Sequence, residues 1–372
     1  MDYFYNKRQV HIITTSRCNL RCKYCYEMIK GAVDTDVNKM KLALENDISN
    51  HSDCEYLITF HGGEPLLCFN IINEISEWLW ATFPSTPITI GLTTNGTIIN
   101  DEIRQWIYKN HTKAIVSLSI DGLPEVHDRN RCGSFHKIDM NFFKHVYKKP
   151  VVKMTVPADE IKHLFNGFCY LYEEGFMPEV ALAAESDFTE SQISTLTTEL
   201  LKLADFYTTH FDLPITEFLN FPFERLSPNV KKGEYLHRCG IGESRIAFDT
   251  NGNPYPCQTF ITDFSKAYDT NEVNRIYESL SKPWQQLFPQ CLKCSIGELC
   301  SPCYGINYSY RGEINYLNPN MCATTLMVIQ AAAKIWTQTL LNRDKYQWLQ
   351  NIDNTTLNNR LLGLREYYAR SK

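Results

Sequence analysis

Six short, apolar, β-branched segments recur along the first half of the chain, at residues 10–14, 56–61, 88–95, 114–120, 151–156 and 179–183. Stretches with helical periodicity follow them, over 38–49, 71–81, 101–109, 137–147, 159–174 and 186–211. Strand–helix units in series pair their strands in parallel and carry their helices outside, because such crossovers are right-handed. Six units are too few to close an eightfold barrel. The pattern therefore predicts an α/β fold: a partial, splayed (β/α)6 TIM-like barrel, with an opening that suits a large substrate.

In such a sheet, ligands gather beyond the C-terminal ends of the strands. The segments at those ends are unusual here. Arg17-Cys18-Asn19-Leu20-Arg21-Cys22-Lys23-Tyr24-Cys25-Tyr26 follows the first strand directly. Gly62-Gly63-Glu64-Pro65 follows the second, Asn95-Gly96 the third and Asp121-Gly122 the fourth. All are predicted to share one rim. Three thiolates in a C-x3-C-x2-C loop can hold three irons of a 4Fe-4S cube and leave the fourth open to a small molecule. That makes a reaction centre rather than a staple.

Cysteine usage supports cluster ligation. Of 14 cysteines, three fall at 18–25 and seven at 239–322. Cys54, Cys68, Cys132 and Cys169 are scattered and read as small core hydrophobes. The start of the chain, Met1-Asp2-Tyr3-Phe4-Tyr5-Asn6-Lys7-Arg8, has no apolar h-region and is not a signal peptide. A cytoplasmic setting is expected, which argues against a disulfide framework and for metal or cluster ligation. The net charge of −5 suggests no nucleic-acid partner. Without a run of 18 apolar residues, no membrane span is expected either.

The cysteine loop resembles the signature of the radical S-adenosylmethionine (SAM) family. The resemblance implies that Cys18, Cys22 and Cys25 hold a 4Fe-4S cluster whose open iron takes the amino and carboxylate groups of SAM. One electron would then cleave SAM, giving methionine and a 5'-deoxyadenosyl radical that abstracts hydrogen from the substrate. Gly62-Gly63-Glu64 is similar to the family's motif for the methionine amino group: glycines admit a close approach, and bare carbonyls suit an ammonium. Tyr24 matches the aromatic near the adenine. Ser119 and Arg131, 12 positions apart, resemble the pair that contacts ribose and carboxylate in the most similar subfamily. Read without the resemblance, Ser119 is a polar residue in a buried strand and Arg131 a surface cation. Asn95 either reaches the ribose or makes a turn.

The second cysteine field runs Cys239, Gly252, Cys257, then Cys291-x2-Cys294-x5-Cys300-x2-Cys303, then Cys322. Alone, paired C-x2-C units are a zinc-ribbon pattern. Downstream of a radical SAM signature, they resemble the SPASM extension of the family's peptide and protein maturases, one residue short before Cys303. That resemblance implies one auxiliary 4Fe-4S cluster on Cys291, Cys294, Cys300 and Cys322. It implies three irons of another on Cys239, Cys257 and Cys303, making three clusters with the SAM-binding one. Interleaved ligation of this kind also occurs in two-cluster ferredoxins. No cysteine lies between Cys169 and Cys239, so the fourth iron of the first auxiliary cluster is open to a substrate group or takes His237, water or an exogenous thiol.

The expected organisation is a radical SAM partial barrel over 1–211, a linker over 212–235, a SPASM domain over 236–325, and a C-terminal helix and tail over 326–372. The region up to about residue 320 is rich in Gly, Pro and Cys and poor in periodicity. Its order is expected to come from ligands rather than from a hydrophobic core.

The resemblance implies a radical SAM maturase that abstracts hydrogen from a residue of a ribosomally made peptide and installs an oxidative crosslink or similar modification. The alternative is an anaerobic sulfatase-maturating enzyme, which makes formylglycine and uses as base an Asp after the second cysteine of the extension. Gln258 stands there in this chain and takes no proton at neutral pH, so Asp249 or Glu243 would have to serve. A non-enzymatic iron–sulfur electron carrier or sensor explains the cysteines but needs neither the C-x3-C-x2-C loop nor Gly62-Gly63-Glu64. The expected partners are a peptide or protein substrate and an electron donor such as flavodoxin or ferredoxin. The first strand begins near Val10, which leaves no room ahead of it for a leader-recognition domain. A leader is therefore expected on the core, on the tail or on a separate leader-peptide-binding protein.

Overall fold

The structure is a computed structural model that describes residues 7–27, 31–184, 188–219, 237, 239–261, 263, 266–297, 299–300, 302–346, 349 and 354–370. Strands and helices alternate through its first half: β1 (Lys7–Thr15), α1 (Val37–Asn50), β2 (Glu55–Gly62), α2 (Phe69–Thr82), β3 (Ile88–Thr94), α3 (Asp101–Asn110), β4 (Ala114–Ser119), α4 (Pro124–Asn130), α5 (Met140–Val146), β5 (Val151–Val156), α6 (Leu164–Glu173), β6 (Met177–Leu182) and α7 (Glu190–Tyr207). The strands pair in parallel in the order β6-β5-β4-β3-β2-β1. This is the open, partial barrel that the alternation predicts. Six helical stretches are matched, and α4 is an addition: a short helix started by Pro124 that no periodicity announces.

Local chemistry sets the helix starts. Asp36 accepts from the Asn38 and Lys39 amides, Asn100 from Ile103, and Thr189 forms a capping box with Gln192. Between the strands and their helices, Val10, Ile12, Ile58, Ile90, Met40 and Ile72 pack with essentially no exposure. Along β2, β5 and β6 the buried residues alternate with part-exposed ones, so one face packs on the helices and the other faces the barrel opening.

The chain continues as β7 (Arg245–Phe248), β8 (Pro254–Tyr255), α8 (Thr270–Leu280), α9 (Trp284–Leu287), α10 (Tyr304–Arg311), α11 (Pro319–Leu341) and α12 (Asn354–Arg370). Here the expectation of order without a core is overturned. β7 adds to the free edge of β1 in parallel, Gln9 opposite Arg245 through Ile12 opposite Phe248, and β8 adds antiparallel to β7. Ile241, Phe260, Ile276, Leu280, Phe288 and Tyr304 form a second apolar cluster. The Asp269 side chain caps α8, which buries Val273, Ile276 and Leu280 on one face. Outside α8, whose Val273, Ile276 and Leu280 recur at helical spacing, these apolar residues are dispersed over loops and short elements, and no sequence period reveals them.

Arg8 ties this region to the barrel. Its Nε and Nη2 donate to the buried Asp47 carboxylate at 3.0 and 2.5 Å, and its Nη1 donates to the Glu243 carbonyl at 2.6 Å. Leu213, Ile215 and Leu219, at the start of the expected linker, are buried in the barrel core; residues 220–236 lie outside the described ones. Ile329, Ala332 and Trp336 of α11 join the same core, as do Leu357 and Leu364 of α12. Among the described residues, no helix is long and apolar enough to cross a membrane.

Candidate active site

A cavity of about 390 Å³ opens at the C-terminal ends of β1–β6. Cys18, Cys22, Cys25, Tyr24, Gly62, Gly63, Glu64, Asn95, Ser119 and Arg131 all line it. Every residue that the sequence nominates for the first cluster and for SAM is thus brought to one place.

The approach of two backbones builds the first wall. The Gly63 amide donates to the Thr15 carbonyl at 3.0 Å, and the Glu64 amide to the Arg17 carbonyl at 2.8 Å. A Cβ on Gly63 would lie 2.1 Å from the Arg17 oxygen, and Gly62 has φ +118°. Only glycines allow the second loop to lie so close against the cysteine loop. Glu64 is fully buried, and its carboxylate accepts from Thr94 Oγ1 at 2.7 Å, the Asn95 amide at 2.8 Å and the Leu66 amide at 3.2 Å. Burial raises its pKa against these bonds. Its carboxylate is committed to the protein, so its contribution is to hold the loops. Asn95 makes a turn, accepting from the Thr97 amide at 3.0 Å, and also donates to Asn19 of the cysteine loop at 2.8 Å.

The opposite side of the cysteine loop rests on a buried charge group. Tyr24 donates from its hydroxyl to Asp121 Oδ2 at 2.6 Å. Arg131 Nε lies 3.1 Å from Asp121 Oδ1, an ion pair off the angle of a good hydrogen bond. The guanidinium also sits 5.4 Å from the Tyr24 ring centre and 3.9 Å, through Nη1, from Cys22 Sγ. Burial would lower the Arg131 pKa, but Asp121, Tyr24 and Cys22 outweigh it and hold the cation firmly charged. Burial pushes the Cys22 thiol up to about 11, with Arg131 pulling it down. Arg131 is thus a buried cation beside a cysteine rather than a surface one. The sequence places Asp121 at the rim, but its pairing with Tyr24 and Arg131 needs the fold to bring them together.

Sequence reasoning also missed the far wall. Tyr26, hydrogen-bonded to His61 Nε2 at 2.6 Å, lies there with Lys153, Thr155, residues 181–184 and Ile306 of α10. Two outcomes concern the scattered cysteines. Cys68 is buried, as expected of a core residue, against Arg17 Nη2 at 3.0 Å. Cys132 is exposed with φ +59°, its thiol donating to the Arg21 carbonyl, so it is no core filler.

The second cysteine field divides into two places. Cys291, Cys294, Cys300 and Cys322 line one cavity of about 270 Å³. Cys239, Cys257 and Cys303 interact electrostatically with one another in the interior, where burial pushes Cys303 up to about 12. His237 is spoken for: Nδ1 pairs with the Tyr304 hydroxyl at 3.0 Å and Nε2 with the Leu280 carbonyl at 2.5 Å. It would have to give up one of these to serve as an iron ligand. Asp249 is engaged by the Asn251 and Asn253 amides. Neither Asp249 nor Glu243 is among the described residues lining the first cavity.

The donor set fits an iron–sulfur cube. Among the described residues no three His, Cys, Asp or Glu side chains converge on a single ion. A cube presents separate irons to separate thiolates, so its ligands surround a space instead of meeting at a point. Three loop cysteines around an open cavity, with a cation against one sulfur, are such an arrangement.

Residues 12–142 match the model of the radical SAM superfamily. The chain carries a radical SAM domain. Members of the superfamily use SAM and a 4Fe-4S cluster. The uncharacterized protein MJ0907 of Methanocaldococcus jannaschii is 39% identical over 120 residues, 32% of this chain and 40% of that protein. The cysteine-type anaerobic sulfatase-maturating enzyme of Clostridium perfringens (strain 13 / Type A) is 23% identical over 77% of this chain and 85% of its own length. The antilisterial bacteriocin subtilosin biosynthesis protein AlbA of Bacillus subtilis (strain 168) is 26% identical over 83% of this chain and 69% of its own. Native anSMEcpe, solved with bound AdoMet and the Cp18Cys peptide, shares the fold with a TM-score of 0.69 at 20% identity, over 90% of this chain and 99% of that one.

Proposed function

We propose that this enzyme is a peptide or protein maturase that abstracts hydrogen from a residue of a ribosomally made substrate and installs an oxidative crosslink or similar modification. The observation that carries the reading is the single cavity: the loop cysteines, Gly62, Gly63, Ser119 and Arg131 line one side, and β5, β6 and α10 line the other. The relative named for bacteriocin biosynthesis and the peptide-bound neighbour support a peptide substrate.

When bound, the cluster and SAM supply a 5'-deoxyadenosyl radical. The chain's own residues position and enclose. Cys18, Cys22 and Cys25 would hold the cluster. Gly62 and Gly63 bring bare carbonyls to an ammonium, and Tyr24 lies on the adenine side. Ser119 and Arg131 offer a hydroxyl and a cation to ribose and carboxylate. Asp121 keeps Arg131 charged and aimed, and Glu64 and Asn95 fix the loops. Ile306 of α10 helps to exclude water from the far wall.

In this proposal residues 1–211 form the barrel domain and 236–325 the SPASM domain; of the expected linker, Leu213, Ile215 and Leu219 belong with the barrel core. Cys291, Cys294, Cys300 and Cys322 would hold one auxiliary 4Fe-4S cluster, and Cys239, Cys257 and Cys303 three irons of the other. A flavodoxin or ferredoxin would deliver electrons, and a separate protein is one route to leader binding. Sulfatase maturation is the second reading, favoured by the C. perfringens relative and opposed by Gln258 at the position of the base.

The test is anaerobic incubation of the reconstituted enzyme with SAM, a reductant and a short peptide encoded beside its gene, read by intact mass and fragmentation. Loss of two hydrogens at one or two residues is expected. An aldehyde at Cys or Ser would instead make it a sulfatase-type maturase. No 5'-deoxyadenosine at all would leave only an electron carrier.

A further inference from the structure

Lys153 and Arg131 are the two cations among the described residues that line the catalytic cavity. They are not equivalent. Arg131 is balanced by Asp121 at 3.1 Å. Lys153 makes no salt bridge to any described residue. It lies on β5, in register with Ser119 of β4 and Glu179 of β6. Alternation along the strand puts Lys153 and Thr155 on the cavity face together, across from Ala181. Glu179 is on the same face of β6 as Ala181, one step deeper. It accepts the Glu217 amide at 3.1 Å, and burial and Glu217 push its carboxyl up to about 7 against the pull of Lys153. It therefore compensates the ammonium only in part.

Apart from Thr155 and the paired Tyr26 and His61, the wall on this side is apolar and carries no acid: Ala181, Leu182, Ala183, Ala184 and Ile306. An ammonium facing such a wall with only a partial counter-charge is costly, and a ligand carboxylate relieves that cost. SAM sharpens the demand, because its sulfonium adds a second positive charge to the same space. The amino-acid end of SAM already has Ser119 and Arg131 in the proposed function.

We propose that Lys153 selects the substrate, taking the carboxylate of an acidic side chain close to the residue to be modified. This inference rests on the peptide-modifying reading. A hydrogen bond between charged groups makes acidic over neutral substrates preferred by about ten- to a hundredfold.

The experiment has two arms. In the first, reconstituted full-length protein with saturating SAM and no reductant is acetylated with an amine-selective reagent, and Lys153 is followed by mass spectrometry. Acetyl-Gly-Glu-Gly amide should slow its modification about tenfold, and acetyl-Gly-Gln-Gly amide should not. Equal effects from the two peptides would overturn the proposal. So would full protection by SAM alone, which would assign Lys153 to the carboxylate of SAM. In the second arm, peptides differing only by Glu or Gln at each position around the modified residue are compared by mass shift. Wild type should prefer Glu at one position, Lys153→Met should lose that preference, and Lys153→Glu should turn it toward Lys at the same position. Retention of the Glu preference in both variants would overturn the proposal. If wild type modifies no peptide, the maturase reading fails, and the footprint still decides the role of Lys153.

Discussion

Replacing Gly63 by alanine tests how tightly the second loop is fitted to the cysteine loop. The new Cβ would stand 2.1 Å from the Arg17 oxygen, 2.6 Å from its carbonyl carbon and 3.0 Å from Cys18 Cβ. Contacts of a real Cβ essentially never fall below 3.0 Å, so the two backbones must part by nearly the difference, close to 1 Å. Two hydrogen bonds, from Gly63 to Thr15 and from Glu64 to Arg17, resist that parting. Overpacking of this kind costs about 1–3 kcal/mol, which the whole fold survives. Catalysis is more sensitive, because a displacement of about 1 Å at a reacting group costs on the order of a hundredfold. Gly63→Ala should therefore keep its far-ultraviolet circular dichroism and most of its iron, yet make 5'-deoxyadenosine about a hundredfold more slowly. Gly312→Ala is the control. Gly312 caps α10 at φ +73° with nothing within 4 Å of an added Cβ, so it tests backbone strain without a clash. Wild-type SAM cleavage by Gly63→Ala would refute the argument that this contact sets the position of the cysteine loop.

Three further outcomes follow from other parts of the fold. Asp47→Ala leaves the buried Arg8 guanidinium without its carboxylate and should destabilise the protein by about 3–5 kcal/mol; an unchanged urea midpoint would contradict that. Glu179 binds its proton more tightly folded than unfolded, so it favours folding fully below its ordinary value of 4.5 and loses that contribution as pH rises through about 7. Glu179→Gln should accordingly match wild type in acid and gain on it above neutrality, by at most about 3 kcal/mol, in melting temperatures recorded across that range; a pH-independent difference would count against it. Cys257→Ala and Cys322→Ala should each lower the iron content by about four atoms per chain, through different clusters. Iron analysis and electron paramagnetic resonance would show this, and loss of the same signal from both variants would contradict the division of the cysteines.

The barrel was legible because each of its levels speaks the same pattern. Apolar β-branched runs, helical periodicity and turn residues all agree from residue 10 to 183, and the rim motifs fall at the strand ends. What the sequence hid was long-range pairing. β7 has four residues and no period of its own; only its fit beside β1 makes it a strand. The roles of Asp121 and Lys153 were missed for a related reason. The sequence places Asp121 at the rim without a role and does not single out Lys153, and both acquire meaning only when strand register sets them beside Tyr24, Arg131 and Glu179. Glu64 shows the reverse case: the motif announced it, but its carboxylate turned out to be committed to Thr94, Asn95 and Leu66.

The pairing of β1 with β7 also orders events during synthesis. Gln9 and Arg245 are 236 positions apart. At ribosomal rates of about 5–20 residues per second, β1 waits roughly ten to fifty seconds for its second neighbour. Until then, the strand that leads into the cysteine loop is an unprotected edge, a template for pairing with other chains. Slower growth at lower temperature, which favours chaperone cover over aggregation, should therefore raise the soluble yield more than added iron does, since the edge must close whether or not a cluster has been delivered.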